Sequence, residues 1–75
     1  MSPLEALEKC VELAGGQSEL ARRIGGTVKQ QHVHYWLTKM GQVSHDYVLS
    51  CEQAVGGQVT RNQLRPDLYP IEQVA

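Results

Sequence analysis

The sequence predicts an all-α fold, a compact domain of four to five short helices, and three observations carry that prediction. Apolar residues recur at three- and four-residue steps along most of the chain. Six of the seven glycines occur as the pairs Gly15-Gly16, Gly25-Gly26 and Gly56-Gly57, each just past such a stretch, where a helix wants a left-handed residue. No segment competes with an alternating strand pattern.

The first helix is expected over Pro3 to Ala14. Ser2 suits the N-cap, Pro3 the first turn, and Glu5 completes a capping box. Leu4, Leu7, Val11 and Ala14 then share one face, with Cys10 beside them, while Glu5, Glu8, Lys9 and Glu12 face water. The second helix is expected from about Ser18 to Ile24, capped by Ser18 or Gln17, with Leu20, Ala21 and Ile24 inward. Thr27 and Gln30 offer another capping box, and a third helix reaches about Lys39 on a stripe of Val33, Trp36, Leu37 and Met40. Ser44 is the expected cap of a fourth helix to Val55, which buries Tyr47, Val48, Cys51 and Val55. Val59 reads as extended, Thr60 caps one turn through Leu64, and Pro66 and Pro70 stop any regular element. One domain over residues 1–70 with a flexible tail at 71–75 is the organisation expected.

Length limits what such a chain does. Seventy-five residues with 41% hydrophobic content build one small core, hiding about 60–65% of the surface of the unfolded chain. No apolar run approaches the ~20 residues of a membrane span. The opening Met1-Ser2-Pro3-Leu4-Glu5 has no signal-peptide character, so a soluble, cytoplasmic protein is expected. Cys10 and Cys51 make no disulfide framework and read as reduced core thiols. His32 and His34 stand about 200° apart around a helix and do not chelate one ion. There is no C-x-x-C, no H-x-x-x-H and no strand to carry a phosphate loop. Neither a metal nor a cofactor is expected, and catalysis is not expected in a chain without room for a deep pocket.

The strongest signal is the block from Gln17 to Leu37. A short helix, a glycine turn and a second helix with a Trp-centred stripe describe a helix-turn-helix, here over residues 17–38. Ala21 is small where the two helices cross, and Gly25 tolerates positive φ at the turn. The second helix presents Lys29, Gln30, Gln31, His34 and Tyr35 on its polar side. A glutamine amide matches adenine N6 and N7 bidentately in the major groove, although glutamine and lysine are also ordinary solvated helix residues. His32 falls closer to the buried side and reads as a partly buried helix residue.

Net charge hides a distribution. Residues 1–16 carry Glu5, Glu8 and Glu12 against Lys9, net −2, and residues 44–75 carry four acids against two arginines, also −2. Residues 17–43 set Glu19 against Arg22, Arg23, Lys29 and Lys39, net +3, which leaves a total of −1. The one basic segment coincides with the helix-turn-helix.

Gly15-Gly16-Gln17-Ser18, Leu20-Ala21-Arg22, Ile24-Gly25, Val33-x-x-Trp36-Leu37, Cys51-Glu52 and Leu64-Arg65-Pro66-Asp67 together resemble the small Cro-like helix-turn-helix proteins of phages and prophages, specifically the YdaS-type branch. The resemblance covers roughly Leu4 to Pro70. It implies a Cro/repressor-like fold and a bacterial, sequence-specific DNA-binding transcriptional regulator, a repressor reading operator half-sites with the helix at about 28–39. It places Lys29, Gln30, Gln31, His34 and Tyr35 on bases and Gln17, Ser18, Arg22, Arg23 and Lys39 on phosphates, with a solvated helix face the alternative for the two arginines. It departs in the turn, where Gly26-Thr27 read as a two-residue insertion that rotates or lengthens the following helix. The partner implied is double-stranded operator DNA bound by a homodimer, since one small helix reads few base pairs and half-sites lie ~34 Å apart. A second reading is an antitoxin-like regulator or protein-interaction module whose Leu68-Tyr69-Pro70-Ile71 and Val74 dock on a protein partner.

Overall fold

The computed structural model describes residues 1–70, and among these the regular elements are all helical. They are α1 (Pro3–Ala14), α2 (Gln17–Ile24), α3 (Gln30–Tyr35) running into a π-helical turn (Trp36–Met40), a 3-10 turn (His45–Tyr47), α4 (Val48–Ala54) and α5 (Arg61–Leu64). The expected tail at 71–75, with Ile71 and Val74, lies outside the described residues.

α1 follows its sequence signals closely. The Ser2 hydroxyl accepts from the Glu5 N–H at 3.1 Å and the Glu5 carboxylate accepts from the Ser2 N–H at 3.0 Å, closing the capping box. That exchange holds the Glu5 carboxyl below its ordinary range. The buried face is Ala6, Leu7, Cys10 and Ala14, so Ala6 replaces Leu4 and Val11, which are only half-buried. Gly15 then closes the helix at φ 97°, its N–H and that of Gly16 returning to carbonyls of the last turn.

α2 packs against α1, α3 and α4, and α5 lies against α1 and α4. Leu7, Leu20, Val33, Val43, Val48, Val59 and Leu64 are fully enclosed, which gives one core shared by every element. Trp36 is buried in it with its ring centroid 5.6 Å from that of Tyr47. Cys10 and Cys51 meet there as free, fully buried thiols. The neighbouring Cys10 thiol and burial push the Cys51 thiol well above its ordinary range.

Four local expectations are corrected. α2 begins at Gln17, with Gly16 as its cap residue, so neither Gln17 nor Ser18 is the cap. α3 begins at Gln30, not at about Val28 behind a Thr27 cap, because the backbone stays extended at Lys29 (φ −121°, ψ 167°). The turn after Gly25 thus runs on through Lys29, and the helix after it starts later than expected. The fourth helix is not continuous from Ser44: the chain enters through the 3-10 turn, and the Ser44 hydroxyl caps nothing. Met40 is exposed because the last turn of the third helix is wider than α, with the Gly41 N–H reaching the Trp36 carbonyl five residues back at 2.8 Å. That extra residue per turn carries Met40 off the stripe of Val33, Trp36 and Leu37. Val59 is buried in a loop, while Thr60 caps α5 as expected, accepting from the Gln63 N–H at 3.3 Å.

The C-terminal segment is fastened by polar groups. Arg65 is buried and donates from Nη1 to the Val43 carbonyl at 3.0 Å, while Nε and Nη2 form a fork on Asp67 at 3.0 and 2.8 Å. Asn62 donates to the Tyr69 carbonyl at 2.8 Å, and the Arg61 guanidinium lies 5.8 Å over the Tyr69 ring. Glu52 on α4 accepts from the backbone N–H and the guanidinium of Arg61 at 2.8 and 2.9 Å, satisfying an otherwise orphaned donor at the start of α5.

Candidate nucleic-acid interface

α2, the turn and α3 form a helix-turn-helix, and its geometry begins at the turn. Gly25 and Gly26 both take positive φ, 83° and 63°, and the Val28 N–H returns to the Gly25 carbonyl at 3.3 Å. This reversal drops Val28 into the core next to Ala21, where the helices approach. Burying Val28, Val33 and Trp36 fixes how α3 rotates, so Gln30, Gln31, His32, His34 and Tyr35 are left exposed.

The first residues of the two helices are joined. The side-chain amide of Gln30 donates to the side-chain oxygen of Gln17 at 3.3 Å. Ser18, Arg22, Lys29 and Gln30 line a cleft of about 340 Å³ together with Ala21, Gly25, Gly26 and Val28. Five expected contact residues therefore gather at one end of the unit. Gln31, His34 and Tyr35 form the exposed face of α3, with Tyr35 the most exposed large apolar side chain of the helix pair. Lys39 lies at the other end, on the π-helical turn.

The basic residues are not equivalent. Arg22 is held by Glu19, Nε at 3.2 Å and Nη2 at 2.6 Å, a bond that lowers the Glu19 carboxyl and raises the guanidinium from their ordinary values. Arg23 turns away from the cleft and donates to the Ala54 carbonyl at the end of α4 at 3.1 Å. Lys29 and Lys39 form no ion pair among the described residues. Of the four cations in this segment, Arg22 is paired with Glu19 and Arg23 is held at Ala54, and the other two, Lys29 and Lys39, bracket α3.

His32 departs most from the sequence reading. It is exposed, and its Nδ1 accepts the Lys29 N–H at 2.9 Å, the return half of a capping box whose N-cap residue has no acceptor to offer. The signal available was spacing: His32 is the third residue of α3, where Glu or Gln usually makes this bond. A cap at Thr27 and a helix from about residue 28 put His32 past the capping position and hide that spacing.

Among the described residues no helix is long and apolar enough to cross a membrane. No curated protein and no solved structure matches the chain. The profile of one family, described as Bacterial toxin YdaS, matches residues 7–73, which spans all five helices but the first turn of α1. The chain belongs to that family, a prophage-associated family of the helix-turn-helix type.

Proposed function

We propose that this protein is a sequence-specific DNA-binding transcriptional regulator, a Cro-like repressor that places α3 in the major groove. The observation that carries the reading is the Gln30–Gln17 bond, because it pins the polar N-terminal end of α3 to that of α2. A side chain so held enters the groove with little rotamer freedom left to lose. Gln30 and Gln31 read base edges, His34 and Tyr35 extend the contact, and Lys29 and Lys39 meet phosphates at the two ends. Gln17, Ser18 and Arg22 approach the backbone from α2; Arg23, bonded to Ala54, acts there through the packing of α2 on α4. A homodimer supplies the second half-site.

Selection of bound duplexes from a random pool tests this. The expected product is a two-fold site whose affinity falls steeply as salt rises. Equal binding of selected and scrambled duplexes overturns it.

A protein-docking reading is favoured by a separate observation, a cleft of about 350 Å³ between Arg61, Asn62, Leu68, Tyr69 and Pro70, with Leu68 46% exposed. The family's description as a toxin supports a further expectation under this reading, that overproduction of the chain slows growth through capture of either DNA or a protein. Removing residues 66–75 is a poor test, because Asp67 and the Tyr69 carbonyl hold the fold together. Leu68→Ser leaves those bonds in place, and loss of growth inhibition with DNA binding retained supports the docking reading.

A further inference from the structure

Resting on the DNA-binding reading above, we infer that His32 is a phosphate-contacting residue, presenting a neutral Nε2–H donor to the DNA backbone from the edge of α3 opposite Gln30. The hydrogen-bond chemistry fixes the donor. Lys29 N–H is an obligate donor, so the Nδ1 it meets at 2.9 Å holds a lone pair. A neutral imidazole with an unprotonated Nδ1 carries its proton on Nε2. Because the same bond anchors the ring, the Nε2–H is held in one place at the mouth of the helix rather than sweeping a cone. Hydrogen bonding of one ring nitrogen thereby sets what the other offers, as it does for metal-bound imidazoles.

Placement decides the acceptor. Successive residues on a helix step by about 100°, so His32 and His34 flank the buried Val33 on opposite sides. Gln30 shares the edge of His34, one turn away, and that edge faces Gln17 and α2. His32 occupies the other edge. A helix with side chains is about 10–12 Å across and the major groove about 12 Å wide, so the edge of an inserted helix turned away from α2 meets one of the groove walls. Those walls are sugar and phosphate, and phosphate oxygens are acceptors only. The donor and the wall are complementary, whereas a ring presenting a bare nitrogen there would be repelled.

The chain is short enough for chemical synthesis, which permits a direct test. Histidine methylated on Nε2 at position 32 keeps the Nδ1 acceptor and the neutral charge and removes the donor. His32→Gln keeps both, its oxygen accepting from Lys29 and its amide donating outward. Binding is measured to a short duplex of arbitrary sequence and to a duplex selected by the unmodified chain, with ¹⁵N NMR of the imidazole in the free protein alongside. The expected result is an Nε2–H tautomer, a loss of about tenfold or more for the methylated chain on both duplexes, and near-normal binding by His32→Gln. An Nδ1–H tautomer overturns the proposal, as does undiminished binding by the methylated chain or a loss confined to the selected duplex. If the unmodified chain binds neither duplex, the DNA-binding reading itself fails, and the tautomer still reports whether the donor exists.

Discussion

Gln17 and Gln30, thirteen residues apart, share a 3.3 Å side-chain bond that spans the helix-turn-helix from the first residue of α2 to the first residue of α3. Each amide keeps a second group for DNA: Gln30 retains its oxygen and one N–H, and Gln17 its two N–H donors. The pair therefore behaves as one unit, a base contact and the strut that aims it.

Substitution should reveal that coupling. Gln30→Ala is expected to cost about 1–3 kcal/mol in binding to the selected site and to relax the preference at one base position. Gln17→Ala weakens binding less, and adds little once Gln30 is gone. A double-mutant cycle of duplex affinities checks this, and additive losses would show that the two amides act independently.

Acid should weaken the fold in part through its C-terminal ion pairs. The Arg61 guanidinium and backbone N–H hold the Glu52 carboxyl below its ordinary range, and the Arg65 fork does the same for Asp67. A carboxylate depressed in the folded state stabilises the fold above its unfolded value. That contribution is lost as pH falls from about 4.5 through the lower folded value. Denaturation midpoints measured from pH 7 to pH 3 should therefore fall below about pH 4.5, and less steeply in Glu52→Gln and Asp67→Asn. Parallel curves for all three proteins would place the acid sensitivity elsewhere.

The parts of this fold that were legible in the sequence are those where a local signal and tertiary packing agree. Ser2, Pro3 and Glu5 start α1, Gly15 ends it, and Thr60 with Gln63 starts α5, each through bonds within three or four residues. The misplaced start of α3 shows what happens when two local signals compete. Thr27 and Gln30 have capping-box spacing, yet burying Val28 keeps the chain extended through Lys29. The His32 cap replaces the Thr27 one. Long-range bonds were illegible for a different reason: Arg23 to Ala54 and Arg65 to Val43 join residues 31 and 22 apart, and no periodicity reports on such pairs. For the candidate site, residue types were readable from spacing, but which arginines the fold commits was not.

Arg65 is expected to be the most sensitive charged residue for stability. Its guanidinium serves the Val43 carbonyl in the loop after the π-helical turn and Asp67 in the segment after α5, so one side chain joins the two. Arg65→Ala leaves the Val43 carbonyl without its donor, a loss of about 1–3 kcal/mol. Arg65→Lys does not restore it, because a single ammonium does not reproduce the two-bond fork on Asp67 together with the Val43 bond. Urea titrations monitored by Trp36 fluorescence check both variants. Full recovery by lysine would show that charge alone, without the fork, holds the segment.

The turn between α2 and α3 offers a test of backbone conformation free of packing effects. A Cβ placed on Gly25 or Gly26 meets no atom within 4 Å, so substitution there reads the backbone alone. Gly26 has φ 63°, a left-handed value that asparagine tolerates better than alanine. Gly25 has φ 83° with ψ −165°, a region that side-chain-bearing residues almost never enter. Gly26→Ala is therefore expected to cost about 1–2 kcal/mol, and Gly26→Asn less. Gly25→Ala should cost the most, up to about 3 kcal/mol. On a domain of this size each kcal/mol lowers Tm by roughly 4–8 °C, so three melting curves resolve the order. The Gly25 variant should also bind DNA more weakly than its stability alone explains, because a refolded turn moves Gln30 away from Gln17. Unchanged duplex affinity in a destabilised Gly25→Ala protein would show that the docking of α3 does not depend on this turn.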